Sequence, residues 1–408
     1  MRVSRPARLT FIFTVLVLIV GCASYFRLFE AYELVLLDLR FKTRPIQKID
    51  PNVAIIEIGN DTLTKLSRWP ISRDYHATLI KVLSRCGVKA VIFDVIFSEP
   101  SVNDALLTEA TAQAGNVYYP YSLELGDVRG GFWRSPKYDA TIITELEDAA
   151  CGSGFANILT DRDGKRRRIP LLVEYDKELL PHLTFKAALD ILGFSQENIQ
   201  MRPGRYIKLG DDIRIPVDDE GAALINLAGK WEDTFVHYSY SDILITYAHE
   251  VGAQGEIPPK LHSLKDKVCF VGLTATGTAD INPNALEPVY PMVGMHANLY
   301  NSIVTKSFLR RASPALNLAI LFIICLLNLL IALKMRPPKS ILFRLGTLVL
   351  FVGFGFLLFL LFGLWIDLFL PILIYILTYL GSSLFRYIKE LQTRELIEKE
   401  LSIARNIQ

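Results

Sequence analysis

Twenty consecutive residues, Pro314–Leu333, carry no charged side chain. A helix of that length spans the roughly 30 Å hydrocarbon core of a bilayer. Two similar runs follow. Leu345–Leu361 is uncharged after Arg344, and Leu364–Phe385 holds a single acid, Asp367, near its start. A fourth run, Leu9–Phe29, opens the chain and is broken only by Arg27. Four transmembrane helices are therefore expected, at 9–29, 312–334, 341–363 and 364–385, with 30–311 as one large domain between the first and second. These runs explain a composition that is 51% hydrophobic and only 21% charged, with mean hydropathy +0.30. That composition argues against a purely cytosolic enzyme and excludes a disordered chain.

Basic residues beside the runs set an orientation. Arg2, Arg5 and Arg8 keep residues 1–8 in the cytoplasm and place 30–311 outside. Lys334, Arg336, Lys339 and Arg344 mark an inner loop, and Arg386, Lys389 and Arg394 follow the last span inward. Lys306, Arg310 and Arg311 run against the rule. The outer stretch holds 31 Lys and Arg against 37 Asp and Glu, while the remainder is basic. An acidic outer domain argues against nucleic acid as its partner; membrane lipids are the expected surroundings of the rest. A second reading of the N-terminus is a lipoprotein-type signal with lipid on Cys22, although the apolar stretch continues past it. The five cysteines show no paired spacing and read as small buried hydrophobes, with neither disulfides nor a thiolate metal site expected.

Within 30–311 the pattern is α/β. Asn52–Ile58 and Val88–Val95 read as buried strands separated by a helix over Asp74–Cys86 that ends at Gly87, a βαβ unit. A helix at Asp104–Ala114 and strands at Val117–Tyr121 and Lys267–Val271 continue it, and a helix over His296–Phe308 leads back to the membrane. The middle is more antiparallel, with a hairpin turn at Asp161–Gly164. The expected fold is a mixed, partly parallel sheet with flanking helices.

Ligands of open parallel sheets bind beyond the carboxyl ends of the strands. Three such ends supply Asp61, then Asp94 and Glu99, then the small-residue loop from Gly272 through Thr274 to Asp280. If these strands adjoin, Asp61, Asp94, Glu99 and Asp280 converge on a cationic or polyhydroxylated ligand, or a hard metal such as calcium. The structural alternative has Asp61 capping a helix and Asp94 paired with Arg73. Trp69 offers an aromatic wall and Arg73 an anion clamp; equally, both suit a packed helix entry. Lys165–Arg168 reads as a solvated edge, and the acids Asp218, Asp219 and Glu220 as hairpin ends. The Gly272–Gly277 spacing lacks the Lys-Ser/Thr pair of a phosphate loop. No catalytic constellation and no cofactor motif is present.

Several stretches together resemble the CHASE2 family of bacterial extracytoplasmic sensory domains. They are Leu37–Arg40, Ala54–Ile58, Arg68–Arg73, Ala90–Phe97, Asp163-Gly164 with Arg166–Arg168 and Pro170, Val271-Gly272 with Asp280, and Gly294–Asn298. The resemblance covers roughly 30–310 and implies a sensor role, with His296 and Asn298 joining the candidate ligand residues. The family typically has an acid directly after the first strand, where this chain has Gly59-Asn60 before Asp61. It also implies a bacterial inner-membrane receptor, multi-pass, with an unidentified small-molecule or ion ligand.

Residues 386–408 are rich in Glu, Lys, Arg and Leu and free of Gly and Pro, a helix by propensity. Leu384, Ile388, Leu391, Leu401, Ala404 and Gln408 form a seam that slips at Leu396-Ile397, as a dimeric signalling coiled coil would; a single solvated helix is the other reading. The last residues look like the linker before PP2C-type phosphatase domains, which makes a phosphatase output beyond a fragment the favoured expectation. The alternatives are an envelope enzyme built on the carboxylates and a scaffold that senses nothing.

Overall fold

The computed structural model describes residues 15, 19–66, 69–196, 199–250, 257–277, 280–335 and 337–407. The chain divides into two compact units, Phe41–Arg310 and a second formed by Met1–Arg40 with Arg311–Gln408.

The Phe41–Arg310 unit is built on a seven-stranded sheet. Its strands are β1 (Val53–Ile58), β2 (Ala90–Asp94), β3 (Val117–Leu123), β4 (Tyr138–Ala140) and β5 (Gly152–Phe155). Two more strands come from the other end of the unit. With β6 (Leu159–Thr160), β7 (Arg166–Pro170) and β8 (Ala222–Leu224) forming a separate antiparallel sheet, these are β9 (Val236–Ser239) and β10 (Val268–Leu273). The order is β9-β1-β10-β2-β3-β4, with β5 also paired to β3. Every pair is parallel except β3–β4. The mixed, partly parallel sheet is as the sequence indicated, but β1 and β2 are not neighbours. The late strand β10 lies between them.

Both faces of this sheet are covered, which is why β1 (Val-Ala-Ile-Ile-Glu-Ile) shows no apolar–polar alternation. Its Ala54, Ile56 and Ile58 join Val91, Phe93, Cys269 and Val271 on one face. That face packs on α1 (Asn60–Leu66), α2 (Arg73–Arg85), α3 (Asp104–Ala114) and a later helix, Tyr240–Glu250. Helix α2 buries Ala77, Leu79, Ile80, Val82 and Leu83 and stops where Gly87 takes φ +73°, a left-handed turn that glycine adopts without strain. The opposite face carries Ile55, Glu57, Ile92, Asp94 and Phe270. It is covered by α4 (Leu183–Leu192) and, beyond α5 (Tyr240–Glu250), by α6 (Val293–Val304). A Cβ on Gly272 of β10 would lie 2.5 Å from Val293 Cβ, so a glycine lets α6 sit directly on the sheet.

In the other unit, Ser313 caps α7 (Pro314–Lys334) by accepting from Leu316 N–H. Then come α8 (Pro337–Phe362) and the 39-residue α9 (Phe369–Ile407). Two stretches, Pro314–Ile331 and Lys339–Phe362, are long and apolar enough to cross a membrane. The run expected at 364–385 becomes helical only at Phe369, so its apolar helix is the shorter Phe369–Gly381. The four expected spans thus reduce to two that qualify among the described residues, and the first part of 9–29, residues 9–14 and 16–18, lies outside them. Residues 386–407 are helical, as propensity indicated, and continue α9 unbroken.

Candidate functional site

Register places Ser239, Glu57, Gly272 and Asp94 in one row across the carboxyl edge of the sheet. Glu57 and Asp94 point to the α6 face, with the bare Gly272 between them. On that face two carboxylate–imidazole pairs form.

The first is Glu57–His237. His237 Nε2 lies 2.8 Å from Thr234 O and Nδ1 lies 2.6 Å from Glu57 Oε1. Both ring nitrogens face acceptors, which only an imidazolium satisfies with two N–H donors. Burial pulls the His237 pKa down, but the hydrogen bonds to Glu57 and Thr234 outweigh it and hold the pKa above its ordinary value. Thr274 Oγ1 donates to the other Glu57 oxygen at 3.1 Å. Trp231 meets the His237 ring edge-on at 4.7 Å.

The second pair is Asp94–His296, at 3.4 Å from Oδ1 to Nε2. His296 stacks on His182 of the residue preceding α4, with ring centroids 5.0 Å apart. His182 Nδ1 accepts from Thr184 N–H, so its proton sits on Nε2. Both rings are almost fully buried, and neither His182 Nε2 nor His296 Nδ1 has a hydrogen-bond partner among the described residues. Burial, with the nearby His296, drives the His182 pKa well down. Asp280 belongs to the same cluster. Burial first and the Asp94 charge second push its pKa from 3.8 to about 6, against the pull of His296 and Arg166. Arg166 is itself half-buried, and burial lowers its pKa while Asp280 raises it.

Asp61 does not join them. It sits at the start of α1, where Ser239 Oγ and Ser241 Oγ donate to it at 2.5 and 3.2 Å and Lys65 approaches to 3.7 Å. Burial raises its pKa, yet these hydrogen bonds keep it below the usual value. The expected convergence of four acids is thus split: Asp94 and Asp280 come together, Asp61 serves α1 and α5, and Glu99 is exposed. Arg73 does not pair with Asp94. Its Nε donates to Asp104 at 2.9 Å and its Nη2 to the Glu99 carbonyl, while the guanidinium lies 4.5 Å over Phe97. Trp69 is exposed. Asn298 is used up internally: its Oδ1 accepts from Ala228 N–H and its Nδ2 donates to Tyr290 and Gly294 O.

The basic run is not a solvated edge. Arg167 is 1% exposed and bridges Asp161 and Asp163, and Arg168 bonds Asp161, Asp218 and Glu220. Two of the acids read as hairpin ends, Asp218 and Glu220, are counter-ions of this run. Among the described residues no group of three or more His, Cys, Asp or Glu could hold a metal ion, so the calcium option has no cage. All five cysteines are free thiols. An open surface cavity of about 570 Å³ lies elsewhere, lined by Lys186, Leu189, Asp190, Phe194, Ser195 and Gln196.

Sequence reasoning missed Glu57, His182, His237 and Arg166. The one signal for Glu57 was an acid in an otherwise apolar buried strand; the histidines gave none, because their partners are supplied by distant segments.

No curated protein and no solved structure matches the chain. A family model described as the CHASE2 domain matches residues 12–333. The match runs through the whole sheet, both imidazole pairs and the first apolar helix after them, well over half of the sequence, and so the chain belongs to the CHASE2 domain family.

Proposed function

We propose that this protein is a bacterial transmembrane receptor whose Phe41–Arg310 unit senses a cue outside the inner membrane. CHASE2 domains are sensory and extracellular, which fits a receptor role. The observation that carries the reading is the family match over 12–333, followed by apolar helices and a helix that runs on to Ile407. In this reading all four apolar segments cross the membrane, and α9 links the last of them to a cytoplasmic output. A PP2C-type phosphatase is the favoured output. Leu384, Ile388, Leu391 and Leu401 are exposed along α9, and that seam supports a homodimer.

The proposed ligand-binding edge is Asp94, Asp280, His296, His182 and Arg166. Two carboxylates sharing one corner favour a small cationic or multiply hydroxylated ligand, because either would relieve their mutual repulsion. No catalytic role is proposed for these residues. The test is thermal unfolding of the full chain in lipid nanodiscs with a panel of polyamines, polyols and divalent cations at pH 7.5. A ligand-dependent rise that disappears in the D94N/D280N double variant is expected. If every compound leaves both proteins unmoved, or if the double variant responds like the wild type, this edge is not the sensing site.

A further inference from the structure

The strongest unexplained feature outside the sheet is a cluster of charges within the membrane-associated unit. It gathers three segments that are far apart in sequence: the helix Glu30–Thr43, which leads into the outer unit; Arg311, which directly follows that unit; and the turn Gly363–Leu368 between α8 and α9.

Glu33, 4% exposed, sits at its centre. Its Oε1 accepts from Arg40 Nη2 at 3.0 Å and from Trp365 Nε1 at 2.9 Å. Its Oε2 accepts from the backbone N–H groups of Leu368 and Phe369, each at 2.8 Å. One amide directly precedes α9 and the other is its first. A helix start leaves its first N–H groups without partners inside the helix and carries partial positive charge, so an ionised carboxylate there is a strong cap. Such caps are usually supplied by the residue just before the helix. Here the cap comes from more than 330 residues upstream. Arg311 completes the cluster. Its guanidinium bonds both oxygens of Glu30, reaches Asp367 Oδ1 at 3.0 Å, and lies 4.2 Å over the Trp365 ring. Ala312 N–H also donates to Trp365 O at 2.7 Å.

Both chain connections to the outer unit, one entering and one leaving, are therefore fastened to the same short turn that starts α9. We infer that this turn, held by Glu33 and Arg311, is the coupler through which the state of the outer unit reaches the output helix. The inference rests on the receptor reading and adds the place and the positioning residues of transmission. Displacement of the Glu30–Thr43 helix along its axis withdraws the carboxylate that caps α9. Displacement of Arg311 pulls on Asp367 in the same turn. Neither requires the helices deeper in the bundle to repack first.

Linkage makes the idea testable without knowing the ligand, because coupling between two sites is reciprocal. The experiment is amide hydrogen exchange on the full chain in lipid nanodiscs. E33Q removes the charge and one of the two acceptors. Exchange at 364–370 is expected to quicken about tenfold or more, the order expected for losing charge-assisted bonds to buried amides. A change at 41–48 and at 300–310, on the outer-unit side of both connections, is expected with it. D367N, which weakens the Arg311 contact, gives the same pattern and serves if E33Q does not insert. In the other direction, N301A removes the Asn301 bonds to Lys48 O and Asp50 N. It is expected to quicken exchange at 368–369 in the wild-type background and to add nothing to E33Q. T378A, which breaks the Thr378–Asn328 contact between α7 and α9, should leave 41–48 and 300–310 unchanged. Effects of E33Q and D367N confined to the turn would overturn the coupler, as would an N301A variant with wild-type exchange at 368–369. That outcome would leave the ligand-dependent unfolding shift of the proposed sensing edge intact, so the two ideas fail separately.

Discussion

Asp280 is an acid held at a cost, and Asp280→Asn exposes that cost. Its carboxyl titrates near pH 6 in the folded chain instead of 3.8, because burial and the neighbouring Asp94 both disfavour the charge. Since the folded pKa is the higher one, the unfolded chain loses the proton first. Stability from the neutral acid is complete below about pH 4 and is lost as pH rises to about 6. Two pKa units correspond to about 3 kcal/mol. Asp280 is only partly buried, and solvent screening brings this to about 1–2 kcal/mol. Asparagine imitates the protonated acid at every pH. D280N should therefore be about 1–2 kcal/mol more stable than wild type at pH 7.5 and indistinguishable from it at pH 4. For a unit of this size, each kcal/mol raises the midpoint by about 2–4 °C. Thermal unfolding of the full chain in nanodiscs, from pH 4 to 8, reads the difference. A variant equal to or less stable than wild type at pH 7.5, or a gain that persists at pH 4, would refute the reasoning.

Three further outcomes are expected. Glu57 and His237 give a pH dependence: the His237 pKa is raised on folding, so its contribution is complete below about pH 6.5 and fades as pH rises through the folded value. Denaturant titrations should show stability falling as pH rises across that range, and E57Q should flatten the slope. Arg167→Ala leaves Asp163 without its cation and Asp161 with Arg168 alone, and should cost about 3–5 kcal/mol, measured by urea unfolding. Lysine at 167 cannot supply the fork that serves two carboxylates and should recover little. Gly272→Ala puts a methyl group 2.5 Å from Val293 Cβ, an overpacking cost of about 1–3 kcal/mol that V293A should partly relieve in the double variant.

The sheet was legible because its local signals agree. Val53–Ile58 and Ala90–Asp94 are apolar, β-branched and bounded by turn residues, and α2 has the helical period between Arg73 and Gly87. Strand order was not legible. Nothing near β1 says that Val268–Leu273, two hundred residues later, will insert between β1 and β2; that follows from both faces needing cover, a property of the whole unit. The charged residues failed for the same reason. Arg166–Arg168 alternate along a strand and so read as half solvated, but their counter-ions arrive from Asp161, Asp218 and Glu220 across a turn and a neighbouring strand. Asp94 is the last residue of its strand, whereas Asp61 already belongs to the helix after β1, so the shared position beyond a strand did not bring the two together.

That division also bears on which charges serve a ligand. Arg167 and Arg168 are surrounded by four carboxylates at 2.6–2.9 Å, and every charge there is answered. Asp61 has two hydroxyl donors and a lysine, and its pKa falls accordingly. These arrangements stabilise the fold and ask for nothing more. The α6 face is different. Asp280 repels Asp94, the Asp94–His296 contact is long at 3.4 Å, and two buried imidazoles stack with one nitrogen each unpartnered among the described residues. A fold that supplied partners so completely to the Arg167 network had the means to neutralise Asp280 with a single amide. A disfavoured carboxylate beside buried histidines is what supports the proposed binding edge on this face. The assignment therefore depends on the sign of one stability change: if D280N gains nothing, the argument for a site on this face loses its energetic ground.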